Sequence, residues 1–215
     1  MLLNPTRNSV LNAAGLLAFV ALAAGMAGCR IHVDKSPDGE DKNVQVETPF
    51  GGIHVNTNQT TATDLGLPVY PGAVIAKDKE NDKSADIHLG FGEWQLRVKV
   101  VNYSSPDSQD KVAAYYKKAL TRYGDVLTCQ GTTPVGKPTA TSEGLTCADD
   151  KSNTTTVQVD RHDYGTSEDS LELKAGSKHH QHIVGFESSA PGQTRFALVA
   201  LDLPTVTGEG SGKSD

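Results

Sequence analysis

Residues 94–124 change from the period of a strand to the period of a helix. Apolar side chains first stand at every second position, in Trp94, Leu96, Val98 and Val100. This alternation predicts a strand with one buried face. Ser105-Pro106-Asp107 then supply residues that favour the start of a helix. A single helical stripe follows, in Val112, Tyr116, Ala119, Leu120 and Tyr123. The sequence therefore predicts a strand and an amphipathic helix that ends at Gly124, with the strand's apolar face and the helical stripe in one core.

Short alternating segments separated by turn residues fill most of the remaining chain. A hairpin is predicted over residues 44–57, around the turn Pro49-Phe50-Gly51-Gly52. Further strands are predicted at residues 74–76, 126–129, 154–160, 170–174, 181–187 and 195–202, and residues 87–91 are predicted to begin the strand that continues past Gly92 to Trp94 and beyond. One helix among about eight strands predicts an α+β domain, an antiparallel β-sheet with one main amphipathic helix packed on one face.

The segments on either side of this domain have a different composition. A single α+β domain is predicted over residues 44–203. Residues 29–43 are polar and charged, which predicts a flexible tether, and residues 204–215 are predicted to be a disordered tail. Within the domain, the mixed charges of residues 77–86 predict a solvated hairpin tip.

The first 28 residues have the pattern of a secretory signal peptide. Arg7 precedes an apolar stretch over residues 11–22, and small residues follow. The stretch ends in Met26-Ala27-Gly28-Cys29, which resembles the lipobox of bacterial lipoproteins, with Met26 where Leu is usual. The resemblance implies that residues 1–28 are a lipoprotein signal and that lipid on Cys29 binds the chain to a membrane. By the same resemblance, Arg30 in place of Asp favours the outer membrane, with the domain facing the periplasm. An ordinary cleaved signal is the alternative.

Three further segments resemble a group of uncharacterised bacterial envelope lipoproteins. They are the Thr48-Pro49-Phe50-Gly51 turn, the Tyr70-Pro71-Gly72-Ala73 segment and the helix from Lys111 to Leu120. The resemblance covers most of the chain after the signal, and its motifs are structural. It implies an envelope location and brings no known activity.

The three cysteines fit this location. If Cys29 is acylated, Cys129 and Cys147 remain as a pair in an oxidising compartment, where a disulfide is the expected state. The bridge would close a segment rich in Gly, Thr and Pro and stabilise the fold by roughly 3 kcal/mol. A redox-active pair is the alternative, although such cysteines usually form Cys-x-x-Cys.

The histidines form the one cluster with metal-binding or catalytic potential. His179, His180 and His182 lie between two predicted strands. In an extended segment His180 and His182 point to the same side, which would offer two imidazoles to one metal ion. His162, Asp163 and Glu172 are candidates for the remaining ligands. A hydrophilic loop that binds no metal is the alternative.

Charge and motifs limit the functions to consider. The chain has 20 Lys and Arg against 26 Asp and Glu, and no basic stripe, which argues against a nucleic-acid partner. No Gly-x-Ser-x-Gly elbow and no complete phosphate loop occur in the sequence, and no cofactor is expected. We therefore expect a lipid-anchored module that binds or scaffolds, with an envelope protein as a candidate partner. Metal or small-ligand capture by the loop over residues 179–182 and an envelope hydrolase are the alternatives.

Overall fold

The computed structural model describes residues 29–35, 42–76, 83–148, 170–187 and 192–204. In these ranges eleven strands form one sheet whose paired strands are all antiparallel. The strands are β1 (Arg30–Lys35), β2 (Lys42–Thr48), β3 (Gly51–Thr57), β4 (Val74–Ile75), β5 (Ser84–Phe91), β6 (Trp94–Ser105), β7 (Val126–Gln130), β8 (Thr133–Pro134), β9 (Leu171–Gly176), β10 (His180–Glu187) and β11 (Thr194–Asp202). Their order across the sheet is β1-β2-β3-β5-β6-β11-β10-β9-β7-β8, and β4 pairs with β6.

One α-helix, α1 (Gln109–Leu120), accompanies the sheet in the described ranges. Turns of 3₁₀ helix lie at Ala62–Leu65 and Thr121–Tyr123. A mainly β member of the α+β class, with an antiparallel sheet and one helix, is therefore confirmed. In the part of the chain that the structure describes, no helix has the length and apolar character needed to cross a membrane.

The helix and one end of the sheet enclose the main core. Val112, Tyr116 and Leu120 of α1 have no exposed surface. They pack with side chains of β6, β9, β10 and β11, among them Val101, Tyr103, Leu173, Val184, Phe186, Phe196 and Leu198. Tyr103 and Phe196 are directly opposite each other on β6 and β11, with their rings stacked 5.8 Å apart. The predicted amphipathic stripe is therefore the buried face of the helix.

The face of β6 that meets the helix differs from the predicted one. Val101 and Tyr103 are 0% and 4% exposed in the core, and alternation places their side chains on one face of the sheet. The predicted apolar set, which begins at Trp94 and ends at Val100, points to the opposite face and stays partly or largely exposed. The prediction that this set shares a core with α1 is therefore wrong. The reason is that the core lies over the later part of β6, where the apolar positions change from even to odd numbers.

The predicted hairpin at residues 44–57 is present as β2 and β3. Val44 lies opposite Val55, and Val46 opposite Ile53. A Cβ atom on Gly51 would collide with the carbonyl oxygen of Gly90 on β5. Glycine at the start of β3 therefore allows this strand to approach its neighbour closely.

β1 occupies part of the predicted tether. Arg30–Lys35 pairs along its full length with β2, and all six residues are exposed. The tether prediction for residues 29–43 therefore needs correction in this part, and also at Lys42, where β2 begins. Only Ile31 and Val33 supply an apolar alternation among charged residues, so the strand pattern is weak in the sequence.

The remaining predicted strands agree with the structure to within a few residues where they can be compared. β4, β7, β9, β10 and β11 correspond to predictions at residues 74–76, 126–129, 170–174, 181–187 and 195–202. The prediction that the strand begun at residues 87–91 continues past Gly92 is wrong. The chain turns there, with Gly92 at φ +62°, and β5 and β6 pair as an antiparallel hairpin. Three predictions fall outside the described residues: the signal over residues 1–28, the strand over 154–160 and nearly all of the tail. Of the predicted charged hairpin tip at residues 77–86, only residues 83–86 are described, and Asp86 lies in β5, where it binds Arg97 of β6.

Candidate functional site

The predicted disulfide is present in the structure. The Sγ atoms of Cys129 and Cys147 are 2.02 Å apart and their Cα atoms 5.7 Å apart. Both cysteines are buried and form a second small core with Leu127 and Leu145. Thiol exchange needs an accessible sulfur, so this position suits a structural bridge better than a redox-active one.

A buried ion pair lies beside the disulfide. Glu172 on β9 is directly opposite Cys129 on β7, and Lys174 is opposite Leu127. The Lys174 Nζ is 3.2 Å from a Glu172 carboxylate oxygen, and the two side chains are 1% and 8% exposed. Pairing offsets part of the cost of removing both charges from water. Glu172, a candidate metal ligand in the sequence, is therefore bound to Lys174, a residue that the sequence pattern did not single out.

The histidines of β10 lie on one face of the sheet, as alternation predicts. Nδ1 of His180 is 2.9 Å from Oδ1 of Asp202. The ring of His182 stacks on Tyr123, with 3.5 Å between the centroids, and burial lowers the pKa of His182. No group of three His, Cys, Asp or Glu side chains that could hold a metal occurs within the described ranges, and His162 lies outside them. The metal site at His180 and His182 therefore stays a hypothesis without a third ligand in the described chain.

A polar depression of about 260 Å³ lies next to His182. Its charged side chains have partners of their own. The Lys99 Nζ donates to the Asp64 carbonyl oxygen at 3.0 Å, and Arg97 donates to Asp86 at 2.6 and 3.0 Å. The described residues that line it include no Ser, Thr or Cys. Among its described lining residues, the depression therefore offers no hydroxyl or thiol nucleophile of the kind that serine and cysteine hydrolases use.

The free cysteine of the described chain lies at one end of the sheet. Cys29 is exposed and directly precedes β1. Arg30 is opposite Glu47, one residue before the end of β2, so Cys29 lies beside the turn between β2 and β3. The next hairpin, β5 and β6, turns at the same end, because Gly52 of β3 pairs with Gly90 of β5.

Exposed apolar side chains surround this end. Phe50 in the first turn is 84% exposed, and Ile31 of β1 is 70% exposed. Phe91 and Trp94 flank the second turn, 48% and 37% exposed, with ring centroids 5.9 Å apart. We call these four residues the aromatic corner. Sequence patterns give no sign of it because its three segments are distant along the chain and only strand pairing brings them together.

Comparison with protein-family models, with curated proteins and with solved structures finds no match for this chain. The resemblance to envelope lipoproteins therefore stays a prediction that rests on the residues of the chain alone.

Proposed function

We propose that this chain is an envelope lipoprotein, held by lipid on Cys29 at the periplasmic face of the outer membrane. Its domain would act as a binding or scaffolding module for an envelope protein. The observation that carries the proposal is the position of the cysteine. Cys29 ends the sequence Met26-Ala27-Gly28-Cys29, and its thiol is free and exposed where β1 begins.

The disulfide between Cys129 and Cys147 supports a location outside the cytosol. Stable disulfides are common in the periplasm and rare where thiols are kept reduced. Both sulfurs are buried, and the bridge joins β7 to a loop that has little regular structure. A protein that depends on such a bridge for its packing fits an oxidising compartment.

A binding role is supported by the open edge of the sheet. β1 is the first strand in the sheet order and pairs only with β2 among the described strands. An edge strand offers backbone groups to an extended segment of another protein, a common mode of recognition. The paired charges of the depression beside His182 give less support to an enzyme.

Intact mass tests the anchor directly. The protein purified from a bacterial membrane fraction should start at Cys29 and show a mass increment equal to diacylglycerol, or to diacylglycerol plus an amide-linked acyl chain. The Cys29→Ser variant should lack that increment. A chain that begins elsewhere, or that lacks lipid while Cys29 is intact, would refute the proposal.

A further inference from the structure

More than half of the strongly exposed large apolar side chains in the described chain lie at one end of the sheet. There are nine such side chains in all, and four of them form the aromatic corner. A fifth, Val33, follows Ile31 on the same side of β1 and is 50% exposed. Scattered exposed apolar residues are ordinary on a protein surface, but a cluster drawn from three separate chain segments indicates a contact surface.

Strand register places three residues of the corner, Ile31, Phe91 and Trp94, on one face of the sheet as well as at one end. Ile31 is opposite Val46, Val46 is opposite Ile53, Ile53 is opposite Leu89, and Leu89 is opposite Leu96. Phe91 is two residues after Leu89 on β5, and Trp94 is two residues before Leu96 on β6. Since residues two apart on a strand point to the same side, both share that face with Ile31. This face is opposite to the one that packs against α1.

The chain enters the sheet at this same corner. Cys29 is directly bonded to Arg30, the first residue of β1, with no residue between anchor and strand. Four strand spacings separate β1 from β6, which corresponds to about 19 Å. A lipid on Cys29 would therefore hold a bilayer against the end of the sheet where Phe50, Phe91 and Trp94 are exposed.

The charges at this corner are mixed. Arg30 lies opposite Glu47 on β2, and Glu93 lies in the turn between Phe91 and Trp94. This arrangement lacks the basic cluster that draws proteins to anionic lipids. Attraction to the surface would come from apolar and aromatic contact, for which Trp at the headgroup level is well suited.

We infer that the aromatic corner rests in the headgroup layer of the bilayer that holds Cys29, with Phe50, Phe91 and Trp94 at the boundary with the acyl chains. The inference rests on the proposed lipid anchor and adds a second contact made by the folded domain. A second membrane contact made by the domain would add its own apolar contact with lipid to that of the anchor. They also set the orientation, because β4, which pairs with the last residues of β6, would then point away from the membrane.

Trp94 provides a direct test because it is the only tryptophan in the sequence. The lipidated protein from the membrane fraction is reconstituted in phosphatidylcholine vesicles, with and without bromine on the acyl chains. We expect brominated lipid to quench the Trp94 fluorescence. We also expect the emission maximum of the protein in vesicles to lie at shorter wavelength than that of the same protein in detergent-free buffer without vesicles. Bromine quenches fluorescence only at close approach. A bilayer that touched the domain only at the anchor, about 19 Å from β6, would therefore leave the Trp94 fluorescence unquenched.

Matched variants distinguish contact of the aromatic corner with the bilayer from nonspecific association of the protein with lipid. Phe50→Ser and the Phe50→Ser, Phe91→Ser double variant should lose part and most of the quenching, respectively. Val74→Ser with Ile75→Ser is the control. These residues are 63% and 52% exposed on β4, about 30 Å along β6 from Trp94. The control should keep the full quenching, and unchanged circular dichroism should accompany each variant. Phe50 is so exposed that its single variant is not expected to disturb folding.

The outcomes also separate this inference from the proposed anchor. Lipid on Cys29 without quenching of Trp94 would overturn the inference and leave the anchor intact. If the mass shows no lipid, the same chain is mixed with the vesicles; quenching would then support the corner as a membrane contact, and its absence would overturn it. Equal loss of quenching in the β4 control, or release of Trp94 by added salt, would also overturn the inference.

Discussion

Tyr116→Phe tests how the helix holds the loop that precedes β4. The Tyr116 side chain is fully buried, and its hydroxyl accepts a hydrogen bond from the Tyr70 N–H and donates one to the Pro68 carbonyl oxygen, both at 3.1 Å. The substitution removes one oxygen atom and hardly changes the packed volume. Its effect therefore reports the two hydrogen bonds and the burial of the backbone groups that they satisfy.

We expect this variant to lower the free energy of unfolding by about 2 to 3 kcal/mol, because both hydrogen bonds of the hydroxyl are lost and the buried Tyr70 N–H loses its acceptor. For a chain of this size that corresponds to about 2 to 4 °C of melting temperature per kcal/mol. Urea unfolding followed by circular dichroism measures the change. The slope of free energy against urea should stay the same, because the surface exposed on unfolding is unchanged.

Tyr115→Phe is the matched control. Its hydroxyl donates to the Val69 carbonyl oxygen at 3.2 Å, but this hydrogen bond is exposed to water. Water replaces the lost partner there, so the expected change is below about 0.5 kcal/mol. Equal effects of the two substitutions, or a loss below 0.5 kcal/mol for Tyr116→Phe, would refute the reasoning.

The remaining predictions concern pH, the disulfide and one glycine. Burial raises the pKa of Tyr116 above its ordinary value near 10, so the contribution of Tyr116 to stability is complete below pH 10 and falls as the pH rises toward the folded pKa. In unfolding curves recorded from pH 8 to 11, Tyr116→Phe should therefore lose less stability than the wild type. Parallel losses in the two proteins would contradict this prediction. Replacing both Cys129 and Cys147 by Ala should cost about 3 kcal/mol, and a reducing agent should destabilise the wild type but leave the variant unchanged in thermal melts. Gly51→Ala should lower the free energy of unfolding by about 1 to 3 kcal/mol because its Cβ would meet the β5 backbone. Gly185→Ala, whose Cβ would have open space, should lower it by less than about 1 kcal/mol when both are measured by urea unfolding. Equal losses would argue against the close approach of β3 to β5 at Gly51.

The sequence predicted those features that depend on local pattern. The β2–β3 hairpin follows from β-branched alternation on both sides of Pro49-Phe50, and the helix follows from its stripe and the residues before it. The pairing of Cys129 with Cys147 follows from the number of cysteines once Cys29 is assigned elsewhere. These inferences need no knowledge of which strand lies beside which.

Features that depend on tertiary arrangement were missed. The apolar residues of β6 occupy even positions up to Val100 and odd positions at Val101 and Tyr103, and only the position of α1 decides which set is deeply buried. Likewise, Phe50 and Trp94 are far apart in the chain and meet at one end of the sheet through the pairing of β3 with β5. Lys174 is buried opposite Leu127 of β7, a neighbour that its local sequence does not indicate.

The edge position of β1 has a mechanical consequence. β1 is held by pairing with β2, and all of its side chains are exposed, so it contributes little to the core. Strands of this kind open at much lower free energy than the rest of a fold, and their amide hydrogens exchange early. Release of its six residues would leave the other ten strands paired and would add about 20 Å of extended chain after Cys29. If Cys29 carries the proposed lipid, the pairing of β1 with β2 therefore decides whether the remaining sheet lies next to the anchor or up to about 20 Å farther from it.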